Sequence, residues 1–346
     1  MNAFTDYLDR LGGNFLVAAM IPSLGLVIAC LIVFDPILRV SQSFQIANGI
    51  YSLLGISLVV AVPTIIIGFT LTALNTFVLK LFEGYVFFHH FPFMRMAHAR
   101  TAGRLIEQRE SIKRDIEGLE QKKSRSREED LTLSKLKAAY YSISASYDQQ
   151  YPPSNLEVMP TKFGNILKAS EAYSGTRYGM DSVQFWPRLW FVIPASYRRS
   201  IDEARNELSF LVNMSTLCIV FYSMCLLAIF VSVASFGSLG PMVILENSLR
   251  YVLAGFIALA LNWFFNRAAI FSVGDFGMMI RSAYDLFRLD LLEQFRLKAP
   301  QDSVEEFAIW KNIGELLVLG QESIEFKPLK YVQKRPDSKQ DIDKAS

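Results

Sequence analysis

Residues 208–245 read LSFLVNMSTLCIVFYSMCLLAIFVSVASFGSLGPMVIL, a stretch without one charged side chain. An uncharged apolar run of ~18 or more residues reads as a membrane span, because ~20 helical residues cross the ~30 Å hydrocarbon layer. Residues 11–34 and 40–79 are equally free of charge, and so is the shorter run 251–266. That last run suffices if Arg250 and Arg267 extend their charges to the two interfaces. Composition agrees: 51% of the residues are hydrophobic and 20% charged, against ~25% charged for soluble chains. Mean hydropathy is +0.26. The sequence therefore predicts an all-α integral membrane protein with four transmembrane helices, and the soluble enzyme classes fall away.

Charge sets the expected topology. With spans near 14–34, 51–79, 208–234 and 249–270, every Lys and Arg except Arg39 and Arg250 falls on one side. The positive-inside rule makes that side the cytoplasm and puts both termini there. Asp6 and Asp9 beside a lone Arg10 give no basic n-region, so the first span is expected to be retained. Cys30, Cys218 and Cys225 lie inside apolar runs and read as small core fillers, with no disulfide framework. Pro22 and Pro63 are expected to kink their spans, while Asp35-Pro36 and Phe236-Gly-Ser-Leu-Gly-Pro241 are expected to end theirs.

The chain divides accordingly. Residues 1–82 form a first transmembrane pair, 83–206 a helical cytoplasmic insert, and 207–272 a second pair. Residues 273–325 form a helical cytoplasmic C-terminal region, and 326–346 a polar tail expected to be disordered. Within the insert, Leu105, Ile112, Ile116 and Leu119 recur at heptad-like spacing. Leu133, Leu136, Tyr140, Ile143 and Tyr147 follow beyond the polar run Lys122–Asp130. That pattern predicts an antiparallel helical hairpin over 97–150 with a solvated tip. Thr161 is the expected N-cap of a helix through Tyr173, with Gly175 as its stop. Ser196–Arg205 should open a helix running straight into span three. Arg281–Leu297 predicts an amphipathic helix after span four, and Ser303-Val-Glu-Glu306 a capping box for a helix to about Leu319.

Catalytic signatures are missing from this sequence. It has no Walker A, GxSxG, HExxH or GxGxxG, and Asp275-Phe-Gly277 stands without the other kinase elements. His89, His90 and His98 have no carboxylate at ligand spacing, so they read as interfacial side chains and not as metal ligands. No enzyme, cofactor or metal is expected. Polar residues inside the spans carry more. At 100° per residue, Ser57, Thr64, Gly68, Thr72 and Asn75 fall within about 80° of arc on span two. Asn262 and Asn266 share a face of span four. Such faces either let helices pack closely and hydrogen-bond, or line the wall of an oligomeric pore.

The segment Pro160-Thr-Lys-Phe-Gly-Asn-Ile-Leu-Lys-Ala-Ser-Glu171, Arg177-Tyr-Gly-Met-Asp181 and Trp186-Pro-Arg-Leu-Trp190 resembles a pattern in many uncharacterised bacterial membrane proteins. It runs PTxxGNxLxAxE, RYGxD, WPRLW, in about thirty residues of a similar four-span layout. By architecture alone, the whole resembles the transmembrane effectors of bacterial anti-phage systems, the Hailong type being nearest. That resemblance implies an oligomeric channel in the bacterial inner membrane, gated by a nucleotide or oligonucleotide signal or through a cytosolic sensor enzyme. From the residues themselves, Asn165, Glu171, Arg177, Asp181 and Arg188 read as a polar clamp that Trp186 and Trp190 anchor at the bilayer. The clamp is either a structural collar or a ligand site with Arg177 and Arg188 as anion binders. The function expected is a gated channel or pore-forming effector working as a homo-oligomer in the lipid bilayer. The alternative is a non-conducting membrane-anchored scaffold that recruits a cytosolic partner through the 97–150 hairpin.

Overall fold

Long apolar runs without internal breakers become long helices, because inside a bilayer every backbone polar group must be paired within the segment. A computed structural model describes residues 16–38, 50–86, 91–234, 241–320 and 327–332. Four of its helices are long and apolar enough to cross a membrane. They are α1 (Ile21–Leu38), entered through a π-helical turn at Leu16–Met20, α2 (Ile50–Glu83), α7 (Ala195–Ala234) and α8 (Pro241–Gln294). Between them lie α3 (Pro92–Glu120), α4 (Arg127–Gln150), α5 (Lys162–Tyr178) and α6 (Ser182–Val192), and α9 (Ser303–Leu319) follows. Among the described residues there is no strand beyond one bridge, Leu297 to Tyr331.

The longest helix differs from expectation. Arg281–Leu297 is not a separate amphipathic helix, because α8 runs from Pro241 to Gln294 without interruption. Its 54 residues make roughly 80 Å of helix, far beyond a bilayer's thickness. No proline lies between 242 and 294, and the internal glycines lower helix stability without ending it. Helix α7 likewise carries 40 residues from the insert into the third span, as Ser196–Arg205 predicts. Helix α1 passes the Asp35-Pro36 pair and ends at Leu38. A proline so near the C-terminus removes one backbone bond and leaves little helix downstream to break. The proposed turn at 236–241 lies outside the described residues up to Gly240.

Helices α7 and α8 pair antiparallel along the spans. Leu208 and Val212 meet Ala269 and Val273 near the insert, with Val78 of α2 and Phe163 of α5 in the same cluster. At the other end Phe221, Cys225 and Ala228 meet Tyr251 and Ala258, and Phe34 of α1 stacks on Tyr251 at 5.6 Å. Cys30, Cys218 and Cys225 are free thiols within this packing.

Helices α3 and α4 form the expected hairpin, with Ala102, Ile116, Leu133 and Tyr147 buried along the seam. Its tip is shorter than the polar run suggests. Ser126 accepts from the Glu129 N–H at 3.2 Å while the Glu129 carboxylate accepts from the Ser126 N–H at 2.9 Å. That capping box turns Arg127–Asp130 into the first turn of α4. Helix α5 starts at Thr161 as predicted but passes Gly175 and stops at Gly179, whose φ is +75°. The left-handed residue ends the helix. At α9 the cap is Asp302, not Ser303: its carboxylate accepts from Val304 and Glu305 N–H at 2.9 and 2.8 Å. Of the tail, Lys327–Val332 is ordered by contacts. Asn312 exchanges two hydrogen bonds with the Lys327 backbone, and Val332 N–H donates to Arg296 C=O at 2.8 Å. The rest of the tail lies outside the described residues.

Candidate functional site

The segment from Pro160 to Asn165 builds a joint between span and insert. Helix α2 ends with carbonyls that have no helical donor left. The Thr161 hydroxyl lies 2.7 Å from the Phe82 oxygen and 3.0 Å from the Glu83 oxygen, and so supplies one. Gly164 lets the first turn of α5 sit directly on that end, since a Cβ there would fall 2.2 Å from the Glu83 oxygen. Asn165 is fully buried and wholly committed. Its Oδ1 accepts from Met159 N–H, and its Nδ2 donates to the Met159 and Thr161 carbonyls, all at 2.8 Å.

The remaining residues of the expected clamp do not come together. Glu171 pairs along its own helix with Lys168 at 3.6 Å. Arg177 is exposed, 3.7 Å from Asp148 of α4. Asp181 caps α6 by accepting from Gln184 N–H at 3.2 Å. Arg188 is exposed and donates to the Gln184 carbonyl at 2.5 Å. Trp186 packs against Trp190 and Tyr284, at 5.8 and 6.0 Å between ring centres. Among the described residues no ion pair joins two members of the set, because the turn at Gly179 separates α5 from α6 and sends Asp181 to a cap.

What the segment does hold is a polar knot that the sequence reading missed. The Tyr173 and Tyr178 hydroxyls both donate to the Asp285 carboxylate of α8, at 3.0 and 2.6 Å. Arg288, one turn on, lies 4.1 Å from the centre of the Tyr178 ring and donates from Nε to Glu306 of α9 at 2.7 Å. Burial, then the bond to Asp285, pushes the Tyr178 hydroxyl well above the usual tyrosine range. Around the knot Met180, Phe185, Tyr284, Leu292, Trp310 and Ile313 make an apolar core that fixes α5, α6, α8 and α9 together. Glu306 was hidden because its spacing from Ser303 imitates a capping box.

Within the spans the polar faces divide. Thr64 and Gly68 are buried in the protomer, and Thr64 donates to the Val60 carbonyl at 2.7 Å. Asn262 is also spent on packing, accepting from the Ser215 hydroxyl of α7 at 2.7 Å. Ser57, Thr72 and Asn266 instead face outward from the protomer. Thr72 keeps its hydroxyl on the Gly68 carbonyl at 3.0 Å. Asn75 is half-buried, with an Oδ1 that is covered and has no hydrogen-bond partner.

His89 and His90 lie outside the described residues. His98 packs on Tyr151 at 6.3 Å, and burial and then the neighbouring Lys162 hold its imidazole below the usual range. Among the described residues no group of three His, Cys, Asp or Glu is arranged to hold a metal ion. Comparison with family models, with curated proteins and with solved structures finds no match to this chain.

Proposed function

We propose that the chain is one protomer of an oligomeric membrane channel gated through its helical insert, which the charge bias assigns to the cytoplasmic side, the bacterial inner membrane resting on the resemblance. The observation that carries this reading is the continuity of α7 and α8. Helix α8 holds Asp285 and Arg288 beyond the span, packed on α5 of the insert, and Asn262 and Asn266 in the span. A rearrangement around the Asp285 knot therefore moves span four as one rigid rod. A single protomer has too few spans to enclose a conduit, so the wall is built where protomers meet. Ser57, Thr72 and Asn266 are among the outward polar groups of the spans. The reading assigns the chain no catalytic chemistry. A nucleotide signal and a role in anti-phage defence rest on the resemblance of architecture alone.

A membrane-anchored scaffold is the second reading, favoured by the exposed Leu131 and Tyr141 on the hairpin. Inducible expression in a bacterium with a potential-sensitive dye separates the two. Depolarisation that disappears when the spans are removed is expected of the channel. A dye signal unmoved under every trigger would leave the scaffold.

A further inference from the structure

Helices α3, α4 and α5 enclose a cavity of about 380 Å³. Arg109 of α3, Tyr147 and Asp148 of α4, and Tyr173 and Arg177 of α5 stand in its wall. Arg281 of α8 packs behind this wall. Its Nη2 donates to the Asp148 carbonyl at 2.8 Å, and its guanidinium lies 5.3 Å from the centre of the Tyr173 ring. Arg177 faces that ring too, at 5.7 Å, and Arg109 lies 5.6 Å from the centre of Tyr147. Two guanidinium groups, from α3 and α5, thus stand in the wall of one space, and a third, from α8, lies behind that wall.

Their counter-charges are insufficient. Asp148 approaches Arg177 only at 3.7 Å, and Glu110 approaches Arg109 at 3.6 Å. Asp285 is committed to two tyrosine hydroxyls. Arg281 is 7% exposed, and among the described residues no carboxylate stands within ion-pair distance of it. Its Nε is buried without a hydrogen-bond partner, and so is the Nε of Arg109. Buried guanidinium nitrogens left without an acceptor are costly, and an anion in the cavity lowers that cost. Acceptor oxygens pointing in different directions suit guanidinium groups carried by separate helices. A tetrahedral phosphate offers that, while a planar carboxylate presents one edge. The volume exceeds an inorganic phosphate and falls in the range of small-ligand sites.

We infer that this cavity binds a small phosphate-bearing anion through Arg109 and Arg177, with the charge of Arg281 behind its wall, and that its occupation fastens the hairpin to α5, which packs on the helix that continues into the fourth span. The fastening is a regulatory device only if the channel reading holds; the binding is independent of it. The phosphate belongs either to a soluble molecule or to a lipid headgroup.

The test uses the full chain purified in detergent. Pyrophosphate in solution and phosphatidic acid in mixed micelles are titrated separately, with succinate as the carboxylate control. Saturable binding of either phosphate probe is expected, and the tighter of the two names the source. Arg109→Gln and Arg177→Gln should each weaken it roughly tenfold or more, as loss of a charge-assisted contact does. Arg188→Gln, an exposed arginine bonded to its own helix, should bind like the unaltered chain. Arg177 is exposed, so its variant remains informative if Arg109→Gln fails to fold. Saturation by no phosphate probe, affinity unchanged in both variants, or tighter binding of succinate would each overturn the assignment. Binding intact in a chain that never depolarises a membrane would sink the channel and leave the site standing.

Discussion

At the residue scale, Asn213 shows how one amide repairs a proline. Pro22 has no N–H, so the Ala18 carbonyl loses its helical donor just where the π-helical turn Leu16–Met20 ends. Asn213 Nδ2, 195 residues further along the chain, donates to that carbonyl at 2.7 Å. Beside it the Ser23 hydroxyl donates to the Ala19 carbonyl, also at 2.7 Å. Asn213→Ala should destabilise the folded chain by between roughly 0.6 kcal/mol, typical of a membrane hydrogen bond, and about 2 kcal/mol for an orphaned acceptor. The lower end is expected, because the substitution also deletes an Oδ1 that is buried without a partner. Pro22→Ala restores an N–H at the right position, so in that background the Asn213→Ala cost should shrink. Thermal unfolding of the four species in detergent measures the coupling. Equal costs in both backgrounds would show that the amide does not serve Ala18. Nothing in the sequence singles out Asn213 within an uncharged run; its meaning comes from a distant proline. Pro22 itself was legible as a disturbance, since its missing donor is local chemistry.

At the scale of elements, the two ends of α5 separate what was legible from what was not. Its start was readable, because a threonine before a helical pattern satisfies a free N–H by itself, and Thr161 does so at 2.9 Å. Its end was not, because Gly175 and Gly179 are equally plausible stops from sequence. The choice falls to Gly179 through packing: a Cβ there would lie 2.8 Å from the Phe307 carbonyl oxygen of α9. The same reasoning separates glycines that are needed from those that are tolerated. At Gly164 a Cβ would stand 2.2 Å from the Glu83 oxygen, a backbone atom that cannot step aside. Gly164→Ala should therefore pry α5 from the end of α2 and cost about 1–3 kcal/mol. Gly175 lies in the same helix with its nearest neighbour at 3.7 Å. Gly175→Ala should stabilise by roughly 0.4–1 kcal/mol, since alanine restricts the unfolded chain and fits the native helix. Opposite shifts in melting temperature are expected. A neutral Gly164→Ala would mean that the joint between span two and the insert is loose.

For the whole molecule, the four apolar helices were legible because a bilayer demands long uncharged runs, and nothing else in a chain mimics that demand. The unbroken length of α8 was not. An amphipathic pattern after an apolar one looks the same whether or not a turn lies between them, and continuity depends on the core around Tyr284 and Leu292. The split of the polar faces was equally hidden, since a helical wheel puts Thr64 and Thr72 together while the protomer buries the first and exposes the second. This split turns the pore assignment into an experiment. Thr64→Leu should disturb the protomer under any reading, because it removes a buried hydroxyl bonded to the Val60 carbonyl, and it serves as the reference for damage. At Thr72 the readings part. If its face lines water, Thr72→Cys, in a chain whose native cysteines are replaced, should react with a small hydrophilic thiol reagent in the assembled protein. Thr72→Leu should then lower conductance while assembly persists, because an apolar wall narrows and dewets the path. If the face packs on a neighbouring protomer, the introduced cysteine should stay unreactive, and the leucine should weaken the oligomer by blocking close approach. The Thr72 hydroxyl bonds the Gly68 carbonyl of its own helix, so losing it removes a bond inside one helix and not one between helices. An unreactive Thr72→Cys together with a dissociated Thr72→Leu would remove span two from the pore wall. The outward-facing Asn266 on α8 would then be the polar group left to line it.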